Sequence, residues 1–268
     1  MIGGNMKVYI SADIEGITGV SHWDETTLAS RFLPQMTKEV SAACIGANEE
    51  GATEILVKDA HSSGRNIDPN GLPINTKIHR NWSMGPLSMM EGIDESFDCC
   101  LFIGYHSGAF VEGNPLAHTF SNSKFQYIKM NRKYMSEFEL NMMIAHYYKV
   151  PVVFLSGDQA LCNLAKEVQP MIETVAVMEG LGDSTISIHP ELAILKIKDA
   201  VEVALKKDLT AVDMILPKIF KFEIQYKEAK LAYRASFYPG VQLMDPKTIT
   251  YETQDYMEFL KMFMFIKI

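Results

Sequence analysis

Three short apolar runs before residue 110 each stop at a polar cluster, and this recurrence constrains the chain more than any other feature. Lys7-Val-Tyr-Ile-Ser-Ala-Asp13-Ile-Glu15-Gly16 ends in two carboxylates and a glycine. Glu54-Ile-Leu-Val-Lys58 runs into Asp59-Ala-His61-Ser-Ser-Gly64, and Cys99-Cys-Leu-Phe-Ile-Gly-Tyr105 stops at His106. Short apolar runs of this kind are strands buried on both faces of a parallel sheet. In such sheets the ligand crevice lies outside the carboxyl ends of the strands. The three clusters therefore belong together on one sheet edge.

The intervening segments fit that frame. Lys38 to Glu50 carries apolar residues at helical spacing, with Thr37 as N-cap and Gly51 past its end. Ser136 caps a helix reaching Tyr148, Pro151 to Leu155 is a strand ending in Ser156-Gly-Asp158, Leu161 to Val168 is helical, and Thr174 to Val177 is a short strand. Asp158 reads as a cap for the helix after it. Arg65 to Trp82 reads as loop, Phe125 to Met130 as strand, and Pro190 to Leu205 as a long helix. From Lys218 the pattern shifts to strands at Ile219–Tyr226, Ala229–Ala235 and Thr248–Glu252, then a last helix from Asp255 to about Phe265. The expected fold is α/β: a mainly parallel sheet flanked by helices over residues 1–215, with a smaller C-terminal α+β lobe over 216–268 packed on it as one unit.

A net charge of −8 and the lack of any basic stripe argue against a nucleic-acid partner. No apolar run reaches the roughly 20 residues that span a bilayer. The start, Met-Ile-Gly-Gly-Asn-Met6, has neither a basic nor a long apolar region, so the expected location is cytoplasmic. Cys44, Cys99, Cys100 and Cys162 form no C-x-x-C pair and read as buried reduced thiols.

Asp13 and Glu15 stand two residues apart, which in extended chain turns both side chains to one side. Like charges that close repel, and a cation or a proton must relieve them. His61 and His106, at the neighbouring strand ends, complete a carboxylate–imidazole set that suits zinc. Glu137 lies in the first turn of its helix, where the helix dipole alone favours a carboxylate. His118, in a glycine-rich loop, fits an acid–base role and an incidental one equally. His22, His79, His146 and His189 fall in turns or on polar faces and read as structural or solvated. One competing motif overlaps these residues. Asp13 to Thr18 looks like the opening of haloacid-dehalogenase-type Mg-dependent phosphohydrolases, with Ser156-Gly-Asp158 as the later element. Glu15 stands in place of that family's second Asp, Ile17 intervenes, and Cys162 occupies the later Asp position. That reading also leaves His61 and His106 without a role.

Taken together, the segments Ser11-Ala-Asp13-Ile-Glu15-Gly16, Lys58-Asp-Ala-His61-Ser62, Gly104-Tyr-His106, His118-Thr-Phe, Ser136-Glu137-Phe-Glu-Leu-Asn141 and Pro151 to Asp158 resemble the D-aminopeptidase family of zinc metallopeptidases, peptidase family M55. The resemblance runs from Lys7 to the C-terminus, specific over the first 160 residues and diffuse beyond. It implies two zinc ions per subunit held by Asp13, Glu15, His61, His106 and Glu137, with Asp13 bridging and His118 catalytic. It implies an aminopeptidase that cleaves the N-terminal bond of short peptides, D-residues among them, by a metal-bound water, and a ring-like homo-oligomer. The family pattern Gly-Glu-x-Gly-x-Asn-Ala is altered here by Ser136, Glu139 and Met142, and Glu139 adds bulk and charge beside Glu137. A non-catalytic peptide-binding module is the other alternative to an enzyme.

Overall fold

The first strand explains the two-sided architecture. In β1 (Met6–Ala12), Val8 and Ile10 point to one face and Tyr9 to the other, and all three are fully buried. A strand buried on both faces needs a layer on each side. A computed structural model, describing residues 6–267, supplies both layers; the reading of the N-terminal five residues lies outside it.

The chain continues through α1 (Leu33–Glu49), β2 (Ala52–Asp59), β3 (Thr76–His79), β4 (Cys99–Tyr105), β5 (Phe125–Met130), β6 (Lys133–Tyr134), α2 (Glu137–Tyr147), β7 (Val152–Asp158) and α3 (Gln159–Val168). It then forms β8 (Glu173–Leu181), β9 (Ser184–Ser187), α4 (Pro190–Leu205), β10 (Phe220–Tyr226), α5 (Ala229–Ala235), β11 (Gln242–Asp245), β12 (Thr248–Thr253) and α6 (Tyr256–Ile266). The seven-stranded sheet has the order β3-β2-β1-β4-β7-β8-β9. It is parallel except for its last pair, the β8–β9 hairpin. The five-stranded antiparallel sheet has the order β11-β12-β10-β5-β6, so it joins residues 125–134 to the last fifty residues. Val8 and Ile10 pack with α1 and α4 in one core. Tyr9 and Phe102 pack with Phe138 of α2, Phe222 of β10 and Phe259 of α6 in the other.

Several local expectations shift. Helix α1 starts a turn before Thr37, whose hydroxyl donates to the Leu33 carbonyl at 3.1 Å instead of capping; Pro34 sits in the first turn, where its missing N–H costs nothing. Residues 229–235 are helix α5, not a strand. Ala232 and Ala235, three apart, supply its buried face, and alanine is a poor strand former. Strands β3 and β11 were not expected; each is four residues long and incompletely buried. All four cysteines are buried and free. Among the described residues no helix is long and apolar enough to cross a membrane.

Candidate metal centre

The carboxyl ends of β1, β2 and β4 are adjacent in the sheet, and backbone bonds lock them together. Asp13 N–H donates to the Ile103 carbonyl at 2.8 Å, and Gly16 N–H to the Gly104 carbonyl at 2.9 Å. The approach requires two glycines. A Cβ on Gly16 would lie 1.8 Å from the Tyr105 carbonyl oxygen; Gly104 has φ +70°, and a Cβ there would meet the Asp13 carbonyl at 2.3 Å. Asp13, Glu15, His61 and His106 are thereby drawn into one buried cluster.

Helix α2 adds Glu137. Ser136 caps it by accepting from Glu139 N–H at 3.2 Å, while Glu139 Oε2 accepts from Ser136 N–H and Oγ–H, both at 2.9 Å. Glu139 Oε1 pairs with Lys133 at 2.9 Å. Glu139 is thus spent on the cap and turned from the site, and the bulk expected beside Glu137 does not enter it. Glu137 Oε1 accepts the Phe120 N–H at 2.6 Å, which ties the His118 loop to the helix.

The three imidazoles share one arrangement. His61 Nε2 donates to the Thr26 carbonyl at 2.8 Å, His106 Nδ1 to the Ser107 carbonyl at 2.9 Å, and His118 Nδ1 to the Leu116 carbonyl at 2.9 Å. A carbonyl oxygen only accepts, so each ring's proton is fixed on that nitrogen and the other nitrogen faces inward. His61 Nδ1 lies 3.1 Å from both Asp13 Oδ1 and Glu15 Oε2. His106 Nε2 lies 3.7 Å from Asp13 Oδ2 and 3.6 Å from Glu137 Oε1. His118 Nε2 lies 3.5 Å from Glu137 Oε1. Two groups result, Asp13–Glu15–His61 and His106–His118–Glu137, with the two oxygens of Asp13 reaching one toward each.

Acceptors pointed at acceptors need a cation or protons between them. Glu15 Oε2 and His106 Nε2 are buried with no hydrogen-bond partner. Without metal, protons carry the load. Burial and the neighbouring Glu15 charge push the Asp13 carboxyl well above its usual range. Burial works against His106 as a cation, yet Glu137, Glu15 and Asp13 together outweigh it and raise the imidazole to about 10. Burial likewise opposes charge on His61, but Glu15 and Asp13 hold it well above normal. Burial opposes charge on Glu15 too, and His61, His106 and His118 together outweigh it, keeping that carboxyl low. His118 goes the other way: burial and then the positive His106 lower it. Its ring stacks on His106 at 4.4 Å and meets the edge of Trp23 at 5.1 Å. Carboxylate oxygens and inward imidazole nitrogens, each imidazole oriented by a carbonyl behind it, fit zinc.

Asp158 caps α3, accepting Leu161 N–H at 2.9 Å, and also accepts Ser107 N–H and Oγ–H, both at 2.6 Å. It holds the residue after His106 as well as the helix. His22 and His189 each cap a helix start through Nδ1, His79 contacts Glu91 at 3.5 Å, and His146 is buried in α2. None of the four faces the cluster.

The cluster opens onto a cavity of about 850 Å³. Trp23, Trp82, Phe120, Met264 and Lys267 are among its walls, so both tryptophans of the chain face it. Sequence reasoning passed these residues over; two rare tryptophans lying in polar loops were the available signal.

The model of the D-aminopeptidase family, peptidase M55, matches residues 6–265. A D-aminopeptidase of Bacillus subtilis (strain 168) is 28% identical over 261 residues, covering 94% of this chain and 93% of that protein. A solved structure, the Zn-dependent D-aminopeptidase DppA from Bacillus subtilis, described as a self-compartmentalizing protease, superposes with a TM-score of 0.90 at 25% identity, covering 98% of this chain and 97% of the other.

Proposed function

This chain belongs to the D-aminopeptidase family, peptidase M55, and on that premise we propose that it is a zinc-dependent aminopeptidase releasing N-terminal residues from short peptides, D-residues among them. Asp13, Glu15 and His61 would hold one ion, His106 and Glu137 the other, with Asp13 touching both and Glu15 one. The observation that carries this reading is the shared posture of the imidazoles, each with its proton on a backbone carbonyl and its inward nitrogen facing carboxylate oxygens. When bound, a zinc pair polarises the scissile carbonyl and makes water a nucleophile near neutral pH.

The remaining chemistry falls to the chain. Trp23 and the stack on His106 fix the His118 ring. Its free Nε2 is placed to take a proton from the attacking water and return it to the leaving amine, while Nδ1–H stays on the Leu116 carbonyl. The aromatic walls shield the peptide bond from bulk water. A second reading has support in the geometry: His118 Nε2 is as near Glu137 as His106 Nε2 is, which would make His118 a ligand.

Zinc content and hydrolysis of D- and L-aminoacyl amides test the proposal together. The expected result is about two zinc per chain with amide hydrolysis; well-folded protein below one zinc per chain, or without hydrolysis, overturns it. His118→Ala should keep both ions and lose roughly 10²-fold or more in kcat, the usual scale for a lost acid–base group. Loss of an ion in that variant would establish the ligand reading instead. The protein is further proposed to assemble as a ring-like homo-oligomer, with the self-compartmentalizing relative as support.

A further inference from the structure

The cavity beside the metal cluster is electrically two-ended. One part of its wall is the carboxylate and imidazole cluster; another is Lys267, whose ammonium lies just past the end of α6. Lys267 Nζ donates to Ser88 Oγ at 2.8 Å and stands 6.0 Å from the centre of the Phe263 ring. Among the described residues, no carboxylate forms an ion pair with it. Glu91 is the acidic group whose field it feels most, but Glu91 is already engaged by Lys58 at 3.5 Å, His79 at 3.5 Å and the Ser83 hydroxyl at 2.6 Å. Lys124 adds positive potential at the same place, its own Nζ donating to the Lys267 carbonyl at 2.7 Å.

A half-buried ammonium without an anion is an unmet electrostatic demand, and it borders a space that opens on the reacting centre. Phe120, whose N–H binds Glu137, has its ring 4.8 Å from Phe263, the ring beside Lys267. Each residue of extended peptide adds about 3.5 Å, so the separation of anchor and cluster sets the length of peptide that reaches both. Resting on the aminopeptidase reading above, we propose that Lys267 is the carboxylate anchor of the substrate site: it pairs with the free C-terminal carboxylate of a short peptide whose first peptide bond lies at the cluster. The site then selects free peptides by length, and a blocked or much longer chain forgoes the anchor. Lys267 is a specificity residue and takes no part in bond cleavage.

The test is calorimetric binding of tri-D-alanine and of its C-terminal amide to the metal-loaded protein, with hydrolysis of both followed separately. The free acid should bind at least tenfold more tightly than the amide. In K267M the acid should fall to the amide's level, and K267R should retain most of the preference. Equal binding of acid and amide by wild type, binding of neither, or a preference that survives K267M overturns the anchor. Hydrolysis of the amide without any acid preference would leave the aminopeptidase reading standing and remove this one. Acid-selective binding with no turnover would do the reverse.

Discussion

Away from the cluster, the carboxyl group that departs furthest from ordinary behaviour is that of Glu39. It is fully buried in α1, and burial raises its carboxyl to about 7 despite hydrogen bonds from Gln35 Nε2 at 3.0 Å and Thr18 N–H at 3.1 Å. Its second oxygen has no partner. A folded-state pKa above the unfolded value means that the native state holds the proton more tightly. The resulting stability is complete below about 4.5 and is lost as pH rises through about 7. Glu39→Gln mimics the protonated form. It should flatten the pH dependence between 5 and 8 and add roughly 2–3 kcal/mol at pH 8, where one pKa unit is worth about 1.4 kcal/mol. Urea midpoints at pH 5 and pH 8 check this; a variant no more stable than wild type at pH 8 would show that Glu39 is ionised without cost. Sequence position alone hides the effect, because Glu39 sits in a helix whose charged residues read as solvent-facing. Glu137 was hidden similarly, since a first-turn glutamate has a sufficient explanation in the helix dipole. Asp13, Glu15, His61 and His106 stood out because polar clusters recur at the ends of three apolar strands, where each alone would have a local explanation.

At the scale of elements, the strand ends succeed as a platform because two glycines let them close. Gly16→Ala would drive a methyl to 1.8 Å from the Tyr105 carbonyl, where only backbone movement relieves it. Overpacking of this kind costs typically 1–3 kcal/mol, and a rigid backbone neighbour puts it at the upper end or above. The expected result is a lower urea midpoint together with weaker zinc binding, because β1 and β4 must part; a variant with wild-type zinc affinity would argue against this coupling. Strands β1, β2, β4 and β7 and helix α4 were legible because an apolar run or a 3.6-residue period is a local property. Strands β3 and β11 were not, since four residues, all exposed in β11 and at best half-buried in β3, leave little pattern. Helix α5 was misread because the seven residues Ala-Lys-Leu-Ala-Tyr-Arg-Ala are too few to fix a period, and only the packing of Ala232 and Ala235 decides.

At the scale of the molecule, the antiparallel sheet and α6 do more than complete a core. Pairing β5 with β10 joins segments some ninety residues apart, a register that no local pattern announces. It brings Met264 and Lys267 to the cavity opposite chain segments that precede them by well over a hundred residues. The centre that this architecture builds also has a thermodynamic side. Six buried ionisable groups are gathered there at a spacing that repels unless something positive intervenes. Binding by the folded state alone stabilises it by about 4 kcal/mol when free ligand exceeds its Kd a thousandfold. A chain of this size shifts by roughly 2–4 °C per kcal/mol. Chelation should therefore lower Tm by about 10 °C, reversibly on adding zinc back, and an unchanged Tm would mean that protons neutralise the cluster as well as metal does. On the proposed ligation, the inward-facing nitrogens would make the folded population a function of available zinc: where the metal is scarce, the chain would lose lifetime as well as activity, so its abundance would report metal supply.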